Sequence, residues 1–315
     1  MTLGETGEFA LIAQLTAGLA ADDRVRLGPG DDGAVVRLRG DLVVSTDALV
    51  EGVHFRRNWS SAEQIGRKAV AVNVADIEAM GARPVAVVVA FCAPADLPAQ
   101  WARDCHAGMR EEAARAGVAL VGGDITRSRD VTLTVTALGE TGDRAPVLRS
   151  GARPGDVVAL RGRIGWAAAG LAVLQRGFRS PRACVAAQQT PEPPYGAGIQ
   201  AAEAGATAMI DVSDGLLADL GHIAEASGVR IDVRADTIEV PDPLFAVAAA
   251  LGGADPRTFV LTGGEDHALA ATFPPGAVPA DWVEIGVVLP AESGTVAVTV
   301  DGAAWEGSQG WDHYA

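Results

Sequence analysis

Apolar residues recur at helical spacing near the start of the chain, where Phe9, Ile12, Leu15 and Leu19 predict a helix over residues 5–20. The tract Ala34-Val35-Val36-Arg37-Leu38-Arg39 is β-branched and partly alternating, and Gly40-Asp41 separates it from a second such tract at 42–47. The two predict a hairpin. From Ser61, the run SAEQIGRKAVAVNVADIEAMGA predicts a helix closed by Gly81, and PVAVVVAFCA after it predicts a buried strand. A helix over 101–116 precedes VALVGGD. In DVTLTVTALGE, Val131, Leu133 and Val135 alternate with threonines, as in a strand with one face buried.

Glycine and proline then cluster in LRSGARPGD, residues 148–156, which places a domain boundary there and divides the chain into 1–148 and 149–315. The second half opens with its own strand and continues through a loop, TPEPPYGAG. AMIDVSDGLLADLGHIAEASGV reads as a strand running into an amphipathic helix, and FVLTGGEDHALAATF leads to a short β-rich tail. Strands and helices are read in both halves. Gly122-Gly123-Asp124 and Gly263-Gly264-Glu265 recur ahead of strand-like stretches, a weak sign of duplicated architecture.

Composition narrows the function. The 315 residues are 49% hydrophobic, enough for two substantial cores. Cys92, Cys105 and Cys184 lack C-x-x-C spacing and suit a reducing cytosol. Glu5 and Glu8 stand where a secretory signal would be basic, and the apolar run from Val85 to Ala93 is too short to span a bilayer. The expectation is a cytoplasmic protein with no membrane partner. A net charge of −15 argues against nucleic acid as a partner. Lys68 is the only lysine, so phosphates on any substrate would have to be neutralised by metal ions and arginine.

The segment GPGDDGAVV, 28–36, satisfies G-x-G-x-x-G, yet a strand follows it where a dinucleotide fingerprint needs a helix, and Asp31 and Asp32 would repel a pyrophosphate. The loop asks for a cation. A hairpin turning near Gly40 would set Asp31 and Asp32 beside Ser45, Thr46 and Asp47. Asp76 follows Asn73 on one helix face, Asp124 ends an apolar strand beside two glycines, and Asp211 ends the strand AMI. Ser213 is the expected N-cap of the next helix, with Asp214 beside it. An all-oxygen, aspartate-rich set suits Mg²⁺ accompanying a polyphosphate. The five histidines, 54, 106, 222, 267 and 313, have no zinc spacing, and no G-x-S-x-G elbow appears.

The ordered series GEFALI, GPGDDGAVV, VSTDALVEGVHF, KAVAVNVADIEAMGARP, LVGGDITR, LRSGARPGD, IDVSDGLLADLGHIAEASG, LTGGEDHAL and GWDHYA closely resembles the thiamine-monophosphate kinase family, of the aminoimidazole-ribonucleotide-synthetase-like superfamily, over essentially the whole chain. The resemblance implies two α/β domains, ATP bound without a P-loop, and a homodimer in which N-terminal sheets join in a barrel. It implies transfer of a phosphoryl group from ATP to thiamine monophosphate. Asp31, Ser45, Thr46, Asp47, Asp76, Asp124, Asp211 and Asp214 would hold several Mg²⁺ ions; Gly123, Asp124, Arg149 and Ser213 would touch ATP; and His54, Glu265 and Trp311 would contact thiamine phosphate. Asp47, Asp76, Asp124, Asp211 and Arg149 are the implied catalytic set. The family often has Tyr where His267 stands, and an expected adenine-side aromatic before LVGGD is not evident. Selenophosphate synthesis fits poorly, because residues 1–30 hold no cysteine, and the ending GWDHYA disfavours both it and purine-precursor ligation. A non-catalytic nucleotide or cation sensor is the alternative from another class.

Overall fold

The valine and threonine alternation around residue 135 sets the architecture of the first half. Val131, Leu133, Val135 and Ala137 are buried, while Thr132, Thr134 and Thr136 on the other face are half-buried, as a period of two requires of a sheet covered more heavily on one side. The computed structural model describes residues 1–19, 22–291 and 297–311. They form two units, Met1–Ile77 with Ala82–Arg144, and Glu78–Gly81 with Ala145–Ala315.

The first unit runs α1 (Leu3–Thr6), α2 (Glu8–Thr16), β1 (Val25–Leu27), β2 (Val35–Val36), β3 (Leu42–Val50), α3 (Ala62–Ala79), β4 (Arg83–Ala93), α4 (Ala99–Ala116), β5 (Ala119–Arg127) and β6 (Thr132–Glu140), the last turn of α3 being assigned to the second unit. Its sheet has the order β3-β6-β4-β5, with only β4 and β5 parallel. α3 covers the buried face; a Cβ added to Gly139 of β6 would lie 2.3 Å from the side chain of Ile77. α3 and α4 cross backbone to backbone. A Cβ on Gly66 would fall 1.9 Å from the Cys105 carbonyl oxygen, and one on Gly108 would fall 2.0 Å from that of Glu63, so only glycine permits this approach. Arg67 seals the crossing with an ion pair to the buried Glu112, 2.9 Å.

Two expectations are corrected here. The hairpin over 34–47 does not form: β2 pairs with β1, and β3 pairs with β6 along its whole length, from Leu42 opposite Glu140 to Val50 opposite Thr132. The ladder on a buried central strand is longer than any across Gly40 could be. The chain at the supposed turn is also tied to the end of β6, by Gly142 N–H to Arg39 O at 2.9 Å and Thr141 N–H to Asp41 O at 3.1 Å. Nor do residues 5–20 form one helix, because Gly7 (φ 78°) breaks it into α1 and α2, which ends at Thr16; residue 20 lies outside the described residues. Leu11 is its buried residue, whereas Phe9 is 83% exposed.

The second unit runs β7 (Val157–Arg161), α5 (Trp166–Gln175), α6 (Arg182–Gln189), α7 (Ala197–Glu203), β8 (Ala208–Val212), α8 (Leu216–Ser227), β9 (Val229–Val233), α9 (Asp242–Ala250), α10 (Arg257–Thr262), β10 (Ala268–Phe273), β11 (Val283–Pro290), β12 (Val298–Val300) and β13 (Ala303–Ala304). Seven of these strands form one sheet in the order β13-β12-β9-β11-β7-β10-β8. Met209, Leu269, Ala271 and Phe273 pack with Ala197 and Ala201 of α7 and with Trp282, whose ring meets Phe273 edge-on at 5.4 Å. α8 packs on β8 and β9 and buries Leu216, Leu217, Leu220 and Ile223. The carboxylate of Glu78 accepts the N–H groups of Gly196 and Gly198 at the start of α7, both at 2.9 Å; burial raises its pKa. Among the described residues no helix is long and apolar enough to cross a membrane.

Candidate active site

In the first unit the joint between β3 and α3 gathers four of the polar residues. Ser45 Oγ donates to Asp76 Oδ2 at 2.5 Å, and the Asp47 N–H donates to Asn73 Oδ1 at 2.8 Å. Asn73 is held in that orientation by its own amide, which donates to Ala69 O at 2.9 Å. The Asp47 carboxylate is exposed and that of Asp76 half-buried. Ser45 and Asp47 share the α3 face of the strand, whereas Thr46 points to the other face, its hydroxyl on Val135 O and Thr136 Oγ1, both 3.0 Å. Gly123 and Asp124 stand on β5, the opposite edge of the sheet. Asp47, Val135, Val89 and Gly123 form one row across it, which separates Asp47 from Gly123 by three strand spacings, about 14 Å. Asp124 faces the threonine side and accepts from Thr126 Oγ1 at 2.8 Å. Asp31 lies exposed in the 28–34 loop, accepting the Asp32 N–H at 2.9 Å.

In the second unit a turn, a loop and the tail converge. The Glu265 N–H donates to Ser213 O at 2.8 Å, the His267 N–H to Val212 O at 3.0 Å, and the Trp311 N–H to Asp214 O at 2.9 Å. Buried Asp211 meets buried His267, Oδ2 to Nδ1, at 3.0 Å. Ser213 does not cap α8. Gly215 occupies the N-cap, and Asp219 from inside the helix accepts the N–H groups of Asp214 (3.1 Å) and Gly215 (3.0 Å). A carboxylate in the first turn does the work of a capping hydroxyl and also meets the positive helix end. Burial and the charge of Asp211 push the Asp219 pKa up to about 7, against the lowering effect of the Gly215 N–H. Arg149 is exposed, and its backbone is pinned: Ser227 Oγ donates to Arg149 O at 3.0 Å and accepts from Gly151 at 3.1 Å. Trp311 is 61% exposed. The rest of GWDHYA, residues 312–315, lies outside the described residues.

Among the described residues no three acids, histidines or cysteines gather into a preformed metal cage. The acids come in small groups with hydroxyl and backbone oxygens nearby. That donor set fits Mg²⁺, which keeps waters and takes most of its remaining ligands from phosphate oxygens.

The AIR synthase related protein family models match residues 30–141 (N-terminal domain) and 153–299 (C-terminal domain). Thiamine-monophosphate kinase of Mycobacterium tuberculosis is 52% identical over 315 residues, covering 99% of this chain and 93% of the relative. The chain belongs to the thiamine-monophosphate kinase family. Its relative in Corynebacterium glutamicum is 43% identical over 98% of this chain and 94% of its own length. A solved complex of AaThiL with AMPPCP and TMP superposes with a TM-score of 0.78 at 32% identity, covering 99% of each chain. The mixed α/β, two-domain fold is that of this family. In this thiamine-monophosphate kinase family member, Asp219 and His267 join the polar grouping from outside the residues expected to form it. An acid in the first turn of the helix after IDVSDG was the available signal for Asp219; nothing in the sequence pairs residue 267 with residue 211.

Asp266, buried beside this loop, accepts the Ala167 N–H with both oxygens at 3.1 and 3.2 Å, and burial pushes its pKa up to about 7. An acid whose folded pKa lies above its unfolded value binds more protons when folded, so stability falls as pH rises from about 4 to about 7. Asp266→Asn keeps an oxygen for Ala167 and removes the ionisation. Its Tm relative to wild type should rise by several degrees between about pH 5 and about pH 8. A difference independent of pH would show that Asp266 does not titrate in this range.

Proposed function

We propose that the chain transfers the γ-phosphoryl group of ATP directly, in line, to thiamine monophosphate, forming thiamine diphosphate and ADP, with several Mg²⁺ ions assisting. The observation that carries this reading is the 52% identity to a thiamine-monophosphate kinase across the whole chain. In the proposal, Asp31, Ser45, Thr46, Asp47, Asp76, Asp124, Asp211 and Asp214 hold the metals, and residues 1–148 form the ATP- and Mg²⁺-binding domain. Gly123, Asp124, Arg149 and Ser213 receive ATP. His54, Glu265 and Trp311 receive thiamine monophosphate.

The chemistry suits these residues. The nucleophile is an oxygen of a phosphate monoester with a second pKa of about 6, largely ionised at neutral pH, so no general base is required of the protein. Mg²⁺ supplies charge neutralisation on two polyanionic substrates. The chain supplies carboxylates at Asp47 and Asp76 on a rigid strand-helix joint, and a guanidinium at Arg149 whose backbone Ser227 holds in place. The exposed indole of Trp311 offers a π face to a permanently cationic thiazolium. The proposal includes a cytoplasmic homodimer. β3 is an edge strand with Leu42 and Val44 half-exposed, a surface that a second copy would cover.

Purified protein should form thiamine diphosphate from Mg-ATP and thiamine monophosphate, and ADP release should depend on that acceptor. Asp47→Asn and Asp76→Asn should each lower kcat by about a hundredfold or more with Tm unchanged, since the hydrogen bonds of Asn73 and Ser45 can persist. Near-normal turnover in either variant at saturating Mg²⁺ removes that residue from the metal set. Trp311→Ala should raise KM for thiamine monophosphate by about three- to thirtyfold while kcat and KM for ATP change little, and Trp311→Phe should recover part. A fall in Tm with KM unchanged would make the residue structural. Sedimentation at assay concentration should give a dimer; an active monomer refutes that element.

A further inference from the structure

Lys68, the only lysine of the chain, is 2% exposed. An ammonium is rarely buried unless its donors are engaged. Its Nζ donates to the carbonyl oxygen of His54 at 3.3 Å. His54 closes the tight turn in which the chain leaves β3. There Val50 O accepts the N–H groups of Val53 (3.1 Å) and His54 (3.0 Å), and the Gly52 N–H reaches Phe55 O at 2.8 Å. Gly52 takes the left-handed φ of 89° that this turn requires, and Phe55 beneath it is buried. The Val50 N–H turns to the imidazole, meeting His54 Nδ1 at 3.1 Å. A ring nitrogen that accepts a hydrogen bond carries no proton, so this contact selects the neutral ring with its proton on Nε2. The histidine is thereby held at three points: its N–H, its carbonyl and Nδ1.

We propose that Lys68 is a positioning residue: reaching from α3 to the His54 carbonyl, it holds the turn in which the Val50 N–H fixes the imidazole as an Nε2–H donor, the form that can hydrogen-bond a phosphate oxygen of the acceptor substrate. Lys68 acts through His54 and not on the phosphate itself. The use of the donor rests on the proposed contact between His54 and thiamine monophosphate; the holding of the turn does not.

Histidine ¹⁵N spectra of the full chain without substrate, with the His54 signals assigned by their loss in His54→Gln, test the positioning directly. In wild type at neutral pH, Nδ1 should be unprotonated and Nε2 protonated. Lys68→Met should give a mixture of tautomers and raise KM for thiamine monophosphate by about tenfold, with KM for ATP and kcat changed by less than about threefold. Lys68→Arg, which keeps a cationic donor, should restore both readouts at least in part. A wild-type ring protonated on Nδ1, or a Lys68→Met spectrum identical to wild type, overturns the inference. A lost tautomer with KM unchanged supports the positioning by Lys68 and removes His54 from the substrate site. If Lys68→Met does not fold, Lys68→Gln, shorter and uncharged, is compared in the same way, and the wild-type spectrum needs no variant.

Discussion

A buried helix cannot leave polar groups without partners, and in this protein that constraint falls on α3. Ala69, Val70, Ala71, Val72, Val74, Ala75 and Ile77 are all buried, and among them stand Lys68, Asn73 and the half-buried Asp76. An unpaired buried amide or ammonium would cost about 1–3 kcal/mol or more. Each of the three reaches β3 or the turn after it: Lys68 to His54 O, Asn73 to the Asp47 N–H, Asp76 to the Ser45 hydroxyl. The contacts that satisfy the helix are the same ones that set the edge strand and its one carboxylate, Asp47, in place. The glycine crossing with α4 at Gly66 fixes the helix about two turns before Asn73.

The second unit faces a different difficulty, since Asp211, Asp214 and Asp219 crowd into the start of one helix. Two devices relieve it. Asp219, its pKa raised to about 7, takes up a proton near neutrality and receives two backbone N–H groups, and Asp211 is paired with His267. The carbonyl oxygens of Ser213 and Asp214 accept N–H groups from the loop and the tail, which fixes the turn between them. The loop does this at a cost in strain. Glu265 and His267 both adopt left-handed backbone (φ 67° and 54°), which costs a non-glycine residue about 1–3 kcal/mol. Their N–H bonds to Ser213 and Val212 hold them there. Strain maintained in this way is characteristic of segments whose backbone path is set by a site and not by local preference.

Local pattern was sufficient wherever the energetics are local. The alternation in DVTLTVTALGE foretold β6, the apolar period from Ser61 foretold α3, and the Asn73–Asp76 spacing put two polar side chains toward one neighbour, because faces of strands and helices follow from periods of two and 3.6. Glycine and aspartate clusters named the segments in which the polar groupings lie. Pairing is a different matter. Which strand β3 joins depends on which edge of a distant, buried strand is open, and a nine-residue ladder with β6 prevailed over a hairpin that sequence proximity favoured. The consequence reached the candidate site, since the hairpin expected to bring Asp31 beside Ser45 does not form. Capping of α8 by Asp219, the pairing of Asp211 with His267 and the burial of Lys68 under His54 likewise join residues far apart in the chain or replace a local signal with a better-placed one. The sequence by itself determined the class of elements, the acidic chemistry and the family; tertiary structure decided partners and protonation, because both depend on desolvation and on which groups packing brings within hydrogen-bond reach.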